Sequence, residues 1–166
     1  MKVAIRKIRF SDLNDFRNCL NDKEIVSKLD DEDIKYPFTL KLAKKSLKKC
    51  IKDKECHMFA ILVDGEYAGV TVLENPTVSK KCYELGYVVC RRFWKKGVAT
   101  KAVKLMVGHG FKKMKIKKIW AGVLSNNPAS KKVLEKCGFK LEGRLRMHTY
   151  KNGKYFDDLI YGLIRR

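Results

Sequence analysis

The sequence has no apolar run approaching the ~20 residues that a membrane-spanning helix needs. Its first ten residues alternate charged and apolar side chains and lack the apolar core of a secretory signal. Only three histidines are present, widely scattered, and no two of the six cysteines form a Cys-x-x-Cys pair. We therefore expect a cytoplasmic protein with no metal site and no membrane partner, whose cysteines are reduced and mostly buried thiols.

Two common nucleotide-binding motifs are also missing. No Gly-x-x-x-x-Gly-Lys-Ser/Thr segment occurs, which excludes a P-loop. No Gly-x-Gly-x-x-Gly segment occurs either, which excludes the usual dinucleotide fingerprint. A phosphate-bearing ligand would need another kind of turn.

Positive charge is in large excess and unevenly distributed. The 166 residues carry a formal net charge of +20, and residues 84–166 contribute 21 Lys and Arg against 5 Asp and Glu. Such a field favours a polyanionic partner, such as nucleic acid, an acidic protein or a small molecule with several phosphates. Any single lysine is equally well explained as a solvated surface residue.

Hydrophobic periodicity predicts one α/β domain over residues 1–166, in the order β-α-α-β-β-β-α-β-α-β-β. Asp64-Gly65 and Asn152-Gly153 predict hairpin turns, and Asn75-Pro76 predicts a break. The predicted strands are 2–8, 57–63, 67–73, 82–89, 119–123, 140–150 and 155–163; the predicted helices follow Ser11 and Thr39 and span 99–114 and 128–137. The sheet is expected to be mixed and mostly antiparallel, flanked by helices, with residues 22–38 as a loop that can include a short helical turn.

The most informative segment is the basic turn between the strand ending at Val89 and the helix starting after Gly97. Amides at a helix start have no intrahelical partner, and the helix dipole adds partial positive charge there. Gly97 would let a phosphate approach the backbone, and small Ala99 would keep the surface close. Cations surround the turn at Arg91, Arg92, Lys95, Lys96 and Lys101. This combination predicts a phosphate-binding turn, with Arg91 among the cofactor contacts.

Three stretches in fixed order carry a family resemblance: ELGYVV (84–89), RRFWKKGVATKAV (91–103) and NNPASKKVLEKCGFKLEG (126–143). Together they resemble the GNAT family of N-acetyltransferases. The C-terminal GFKLEGRLR…YKNGKYFDDLIYGL is similar to its RimJ/RimL-like branch, and the likeness extends from IRKIRFSDLNDF to the last strand.

The resemblance implies that the chain binds acetyl-CoA. Backbone amides of the turn would hold the diphosphate, namely those of Lys96, Gly97, Val98, Ala99 and Thr100. Val88 and Val89 would diverge from the next strand and pair with the pantetheine, and Asn127 would bond the pantetheine arm. Trp94 departs from the family pattern, where Gln or Arg is common, and Lys95 replaces a common Gly.

The resemblance also suggests the catalytic groups. The backbone N–H of Val89 would polarise the thioester carbonyl, at a strand interruption near Val88. Leu134 occupies the position where many family members have the tyrosine that acts as general acid. The RimL-like branch instead has Ser in an Asn-x-x-Ser segment, which matches Asn127 to Ser130 here. Ser130 is therefore the candidate that contacts the cofactor and stabilises or protonates the thiolate; the alternative is that it only satisfies the first turn of the helix. Thr149 replaces the glutamate base of the RimL-like branch. Glu84 is the alternative base, or a residue that orients the acceptor.

His148, next to Thr149, is expected to face away from it as a surface side chain. Water alone would serve as the base if the amine arrives neutral. The base is therefore not settled by the sequence.

The resemblance implies direct acetyl transfer, in a ternary complex, to a primary amine. A protein N-terminal α-amine, of the ribosomal-protein kind, is the first expectation for the acceptor. A small amine or polyamine is the alternative, with the acidic run Asp30–Asp33 lining its pocket. A non-catalytic module that binds RNA or the ribosome through the basic C-terminal half is the second alternative. The protein could also form a homodimer, which the sequence does not decide.

Overall fold

The computed structural model describes residues 1–29, 31, 33–74 and 81–165, so the predicted break at Asn75-Pro76 lies outside the described residues. The strands are β1 (Val3–Lys7), β2 (Cys56–Val63), β3 (Glu66–Glu74), β4 (Cys82–Val89), β5 (Lys118–Leu124), β6 (Lys140–Lys151) and β7 (Lys154–Ile164). The helices are α1 (Leu13–Leu20), α2 (Lys23–Ser27), α3 (Leu40–Lys52), α4 (Val98–Lys112) and α5 (Pro128–Lys136). None of these helices is long and apolar enough to cross a membrane.

The predicted mixed, mostly antiparallel sheet is confirmed. Seven strands lie in the order β1-β2-β3-β4-β5-β7-β6, and only the β4–β5 pair is parallel among the described strands. Both predicted hairpin turns form, with positive φ at Asp64, Gly65, Asn152 and Gly153. The order of elements is as expected, apart from α2, a short helix inside the predicted loop 22–38, which Asp22 caps through the amides of Glu24 and Ile25.

Two apolar layers cover the two faces of the sheet. On one face α1 and α3 pack with Phe16, Leu20 and Leu47 fully buried. On the other face α4 packs with Val103 and Met106 buried against the odd-numbered residues of β3 and β4. Side chains alternate between faces along a strand. Even-numbered residues of β3 and β4 therefore face α1 and α3.

The parallel strands β4 and β5 separate partway along their length. Their pairing runs from Cys82 opposite Lys118 to Glu84 opposite Trp120. Beyond that point β4 stays paired with β3 up to Val89, while β5 stays paired with β7. Val88 and Val89 therefore diverge from β5 as expected. The expected interruption near Val88 is wrong, because β4 continues unbroken to Val89 and the opening already begins after Glu84, where each strand follows its antiparallel neighbour.

The cysteines differ from the sequence expectation. Cys19 on α1 is bonded to Cys90, just after β4, and Cys50 on α3 is bonded to Cys56 on β2. The prediction of reduced thiols is therefore wrong for these four cysteines, whereas Cys82 and Cys137 are free thiols. The sequence could not show the first pair, because its cysteines lie 71 positions apart and only the packing of α1 against the sheet brings them together.

Candidate active site

A groove of about 660 Å³ lies at the open end of the two separated strands. It is lined by nine of the ten residues that the sequence assigned to the cofactor: Val88, Val89, Arg91, Gly97, Val98, Ala99, Thr100, Asn127 and Ser130. Further lysines line it at Lys28, Lys95, Lys132 and Lys136. Its shape and its charge therefore suit a long ligand that carries phosphates.

The start of α4 forms the wall of this groove. Gly97 is the N-cap, with a left-handed φ of 73°, and within the described chain no side chain caps the amides that follow it. A Cβ at Gly97 would meet open space, so the backbone is accessible from the groove. Helix-start amides without partners, next to lysines, form a site suited to the diphosphate of coenzyme A.

The backbone of Val89 faces the opening between β4 and β5. The N–H of Cys90 donates to Ala68 on β3 at 2.9 Å. Because successive N–H groups along a strand point to opposite sides, the N–H of Val89 points away from β3 and toward the opening. Its carbonyl is directed to the same side and accepts a hydrogen bond from the Trp94 indole Nε1 at 2.6 Å. The described contacts thus occupy the carbonyl of Val89 and leave its N–H directed at the groove.

Two predicted cofactor residues have other partners. The guanidinium of Arg91 forms two hydrogen bonds of 2.7 Å with Asp22 and lies 2.9 Å from Glu24. This pairing ties the cofactor turn to the start of α2, and it lowers the pKa of the Asp22 carboxyl through the hydrogen bond from Arg91. Lys96 is outside the groove lining, and its ammonium lies 5.9 Å from the centre of the Phe93 ring.

A second cleft, of about 480 Å³, lies on the α1–α3 side of the sheet. Among the described residues that line it, the charged ones are six carboxylates and two lysines: Asp31, Asp33, Asp53, Glu74, Glu84, Asp158, Lys28 and Lys49. A chain of net charge +20 thus has a locally acidic cleft. Asp31 and Asp33 line it as the sequence suggested, whereas Asp30 and Glu32 lie outside the described residues.

Two of these carboxylates face each other across neighbouring strands. Glu74 at the end of β3 is directly opposite Glu84 on β4, so both side chains lie on the same face of the sheet. At the rim, Lys49 lies 3.0 Å from Asp33, and this hydrogen bond lowers the pKa of the Asp33 carboxyl. Like charges directly opposite each other destabilise a sheet. The carboxylates that line this cleft give it a negative potential that attracts cations.

The groove and the cleft meet at the side chains of Tyr87, Val88, Asn127 and Ser130, which line both cavities. The hydroxyls of Tyr87 and Ser130 lie 2.6 Å apart. Asn127 caps α5 by accepting a hydrogen bond from the N–H of Ser130 at 3.1 Å, which fixes the position of the serine. Burial raises the pKa of Tyr87 to about 12, so its hydroxyl keeps its proton at neutral pH.

The expected orientation of His148 is wrong. Both His148 Nδ1 and Thr149 Oγ1 contact the same carboxylate oxygen, Oδ2 of Asp158, at 2.7 and 3.1 Å. The register between β6 and β7 shifts between Leu145 and Thr149, and Met147 has a φ of 50°. A bulge of this kind breaks the alternation of faces, so two consecutive residues reach one partner.

Sequence reasoning missed Tyr87 and Asp158 as candidate site residues. Tyr87 reads as a buried aromatic in an apolar strand, and nothing in its spacing indicates a hydroxyl at the meeting point of two cavities. The sequence gives one weak indication for Asp158, which is an acidic residue next to the apolar run of the last strand. Burying a carboxylate is costly, so a buried acid at such a position points to a specific role.

The comparisons with known proteins agree with this geometry. The sequence profile of the acetyltransferase (GNAT) domain matches residues 2–140. Spermidine N(1)-acetyltransferase of Escherichia coli (strain K12) is 30% identical over 107 residues, which are 64% of this chain and 58% of that protein. The matches to the first three curated relatives span 46%, 58% and 64% of their lengths.

Two solved structures have the same fold. Spermidine N-acetyltransferase from Vibrio cholerae, in complex with CoA and spermine, has a TM-score of 0.87 at 22% identity, covering 98% of this chain and 95% of that chain. RimL, a ribosomal L7/L12 alpha-N-protein acetyltransferase in complex with coenzyme A, has a TM-score of 0.88 at 20% identity, covering 99% and 94%. The profile match over residues 2–140, on a fold with diverging strands and a basic helix start, shows that this chain belongs to the GNAT acetyltransferase family.

Proposed function

We propose that this protein transfers the acetyl group of acetyl-CoA directly to a primary amine of a small molecule that carries more than one ammonium group. The observation that carries the proposal is the meeting of a basic groove and an acidic cleft at Tyr87, Val88, Asn127 and Ser130. An anionic cosubstrate and a cationic acceptor would each enter a cavity of opposite charge. The two would meet where a hydroxyl pair lies.

The groove residues fit acetyl-CoA, which supplies an activated acyl group as a thioester when bound. The amides that follow Gly97 would bind the diphosphate, with Ala99 and Thr100 beside it, as helix starts bind phosphate elsewhere. Val88 and Asn127 would pair with the pantetheine, and the N–H of Val89 would donate to the thioester carbonyl. These roles are supported by the groove lining and by the open side of β4.

The hydroxyl pair supports the departure of the thiolate. In one arrangement the Tyr87 O–H donates to Ser130 Oγ, which leaves the serine proton free to point at the sulfur. A hydrogen bond donated to a developing thiolate stabilises it and delivers its proton. Ser130 would be the residue that touches the sulfur, and Tyr87 would position the serine and replace its proton.

The acidic cleft favours a polyamine over the protein α-amine that the sequence put first. A molecule with ammonium groups separated by short alkyl chains can place one at the reaction point and another between Glu74 and Glu84. The E. coli relative at 30% identity is a spermidine N(1)-acetyltransferase, in line with this choice. The formal charge of +20 does not exclude a cationic acceptor, because the local field of the cleft carboxylates decides whether a cation enters the cleft.

A protein N-terminal α-amine is the second candidate acceptor. The observation that favours it is the apolar wall of the same cleft, formed by Phe16, Leu20, Met58, Val70 and Val72. Such a wall suits the side chains of a peptide better than the ammonium groups of a polyamine.

The test measures acetylation by mass spectrometry with acetyl-CoA and three acceptors: spermidine, butylamine and a peptide with a free N-terminus. A kcat/KM at least tenfold higher for spermidine than for the other two is expected. Glu74→Gln should raise the KM for spermidine and leave that for butylamine unchanged, because only spermidine has a second ammonium. A preference for the peptide would establish the second candidate, and no transfer to any amine would refute the proposed function.

A binding assay separates the enzyme from a nucleic-acid-binding module. Micromolar acetyl-CoA in moderate salt should raise Tm, as expected for a ligand that binds only the folded state. A rise in Tm with RNA and none with acetyl-CoA would support the module instead.

A further inference from the structure

Asp158 on β7 is a buried carboxylate with one oxygen hydrogen-bonded and the other without a partner among the described residues. The residue is 6% exposed. Its Oδ2 is hydrogen-bonded by His148 and Thr149, whereas no partner among the described residues reaches its buried Oδ1. Leaving a buried charged oxygen without a partner is costly, and such a group in a folded protein calls for an explanation.

The position of Asp158 suggests that explanation, because it lines the acidic cleft together with Glu84 and Ser130. Asp158 is directly opposite Leu124 on β5, and Glu84 is opposite Trp120 on the same strand. Trp120 and Leu124 are four residues apart, so Asp158 and Glu84 lie on the same face of the sheet. Glu84 is at the closed end of the strand opening, about 13 Å along β5 from the level of Asp158.

The neighbours of Asp158 hold it in place and connect it to solvent. His148 donates its Nδ1–H in the tautomer that this contact requires, and its own side chain is 61% exposed. The other charged groups described nearby are Glu84 on the same face and the ion pair of Arg144 with Asp157, which by alternation is on the opposite face. The bulge in β6 therefore orients one carboxylate oxygen, and the other stays buried without a partner beside the cleft that Asp158 lines.

We propose that Asp158 is the base that removes a proton from the acceptor ammonium, an inference that rests on the proposed acetyl transfer. An N–H bond of the ammonium breaks, and an O–H bond forms on Oδ1. The freed nitrogen lone pair attacks the thioester carbon, the C–S bond breaks, and the second proton on nitrogen goes to the thiolate through the Ser130 hydroxyl. Asp158 then releases its proton to water, so that one amide, one thiol and one proton are produced.

The test is Asp158→Asn, because an asparagine keeps an oxygen for His148 and Thr149 and replaces only the other oxygen by an NH₂ group. We expect kcat to fall about 100-fold or more, with the KM for acetyl-CoA unchanged. Wild-type kcat should reach a plateau at neutral pH. In the variant only neutral amine reacts, so kcat should rise about tenfold per pH unit toward the amine pKa near 10. Asp157→Asn, the same change on the opposite face, should retain the wild-type profile.

A second variant tests whether a carboxylate near the Asp158 position restores the reaction, and the Tm of Asp158→Asn shows whether that variant folds. Thr149 Oγ1 lies 3.1 Å from the Asp158 carboxylate, so Thr149→Glu in the Asp158→Asn background places a carboxylate at nearly the same point. We expect this double variant to regain at least tenfold in kcat together with the neutral plateau. A wild-type plateau in Asp158→Asn itself would overturn the proposal for Asp158 alone. An inactive wild-type protein would overturn the proposed function as well.

Discussion

The hydroxyls of Tyr87 on β4 and Ser130 on α5 lie 2.6 Å apart, although 43 positions separate them in the sequence. Their contact gives the first prediction. Ser130→Ala and Tyr87→Phe should each lower kcat about 10- to 100-fold with little change in acetyl-CoA affinity, because we propose that both act on the leaving thiolate. Steady-state kinetics with varied acetyl-CoA measure this.

The double variant Tyr87→Phe/Ser130→Ala tests whether the two hydroxyls act as a unit. Residues of one hydrogen-bonded network give non-additive effects. The double variant should therefore be about as slow as the slower single one. An unaltered kcat in Ser130→Ala would remove the serine from the mechanism, and fully multiplicative losses would mean that the hydroxyls act independently.

Glu84 gives a second prediction, which separates binding of the acceptor from proton removal. Glu84→Gln should raise the KM for spermidine several-fold and leave the pH profile of kcat as in the wild type, since Glu84 lies at the closed end of the strand opening. Kinetics between pH 6 and 9 test this. A loss of kcat/KM that is greatest at low pH would instead make Glu84 the base, as the sequence first suggested.

Trp94 gives a third prediction, because its indole N–H holds the carbonyl of Val89 at 2.6 Å. Trp94→Phe removes this donor and keeps the ring that contacts the ammonium of Lys28 at 4.9 Å. We expect about a tenfold loss of kcat through misalignment of the Val89 N–H, with Tm of the free protein changed little. Stopped-flow or steady-state assays, with calorimetry as the control, measure the two quantities. Wild-type kinetics would show that Val89 is held without the indole.

A fourth prediction concerns stability at acidic pH. Arg6 binds the buried Asp12 carboxylate through two hydrogen bonds of 2.8 and 2.7 Å, and this contact lowers the pKa of Asp12 below its ordinary 3.8. A lowered folded-state pKa contributes stability above the unfolded value, and this contribution is lost as pH falls through the folded value. Asp12→Asn should cost about 2–4 kcal/mol of unfolding free energy at pH 7.

The same substitution should flatten the decline in stability below about pH 4, which urea unfolding at several pH values would reveal. Asp15→Asn, an exposed change in the first turn of α1 three residues after Asp12, is the matched control and should stay within about 0.5 kcal/mol of the wild type. A decline in Asp12→Asn as steep as in the wild type would show that other carboxylates dominate acid unfolding.

The fold could be predicted largely from the sequence because its signals are local. Asp64-Gly65 and Asn152-Gly153 have the left-handed turns that their residue types favour, and Asn127-Pro128 begins a helix as expected. The local structure of the basic turn was predictable for the same reason, since a strand, a basic segment and a glycine before a helix are contiguous. Helix α2 was expected only as a short helical turn without bounds, because five residues give too little periodicity.

The catalytic side of the site was less predictable because it depends on contacts between distant segments. The alternation of faces predicted that His148 points away from Thr149, but the bulge in β6 brings both to Asp158. Tyr87 meets Ser130 only because α5 packs over the end of β4. The disulfide between Cys19 and Cys90 depends in the same way on how α1 lies against the sheet.

Lys151, at the end of β6, donates to the carbonyl oxygens of Val26 and Leu29 in and just after α2. The β6–β7 hairpin, which supplies Asp158 to the acidic cleft, is thereby joined to the segment that supplies Leu29, Asp31 and Asp33, although more than a hundred residues separate them. Exchanging residues 22–38 for those of a relative would alter the backbone that receives this lysine. An exchange meant to change the acceptor preference proposed above would therefore have to replace both segments together, residues 22–38 and the β6–β7 hairpin.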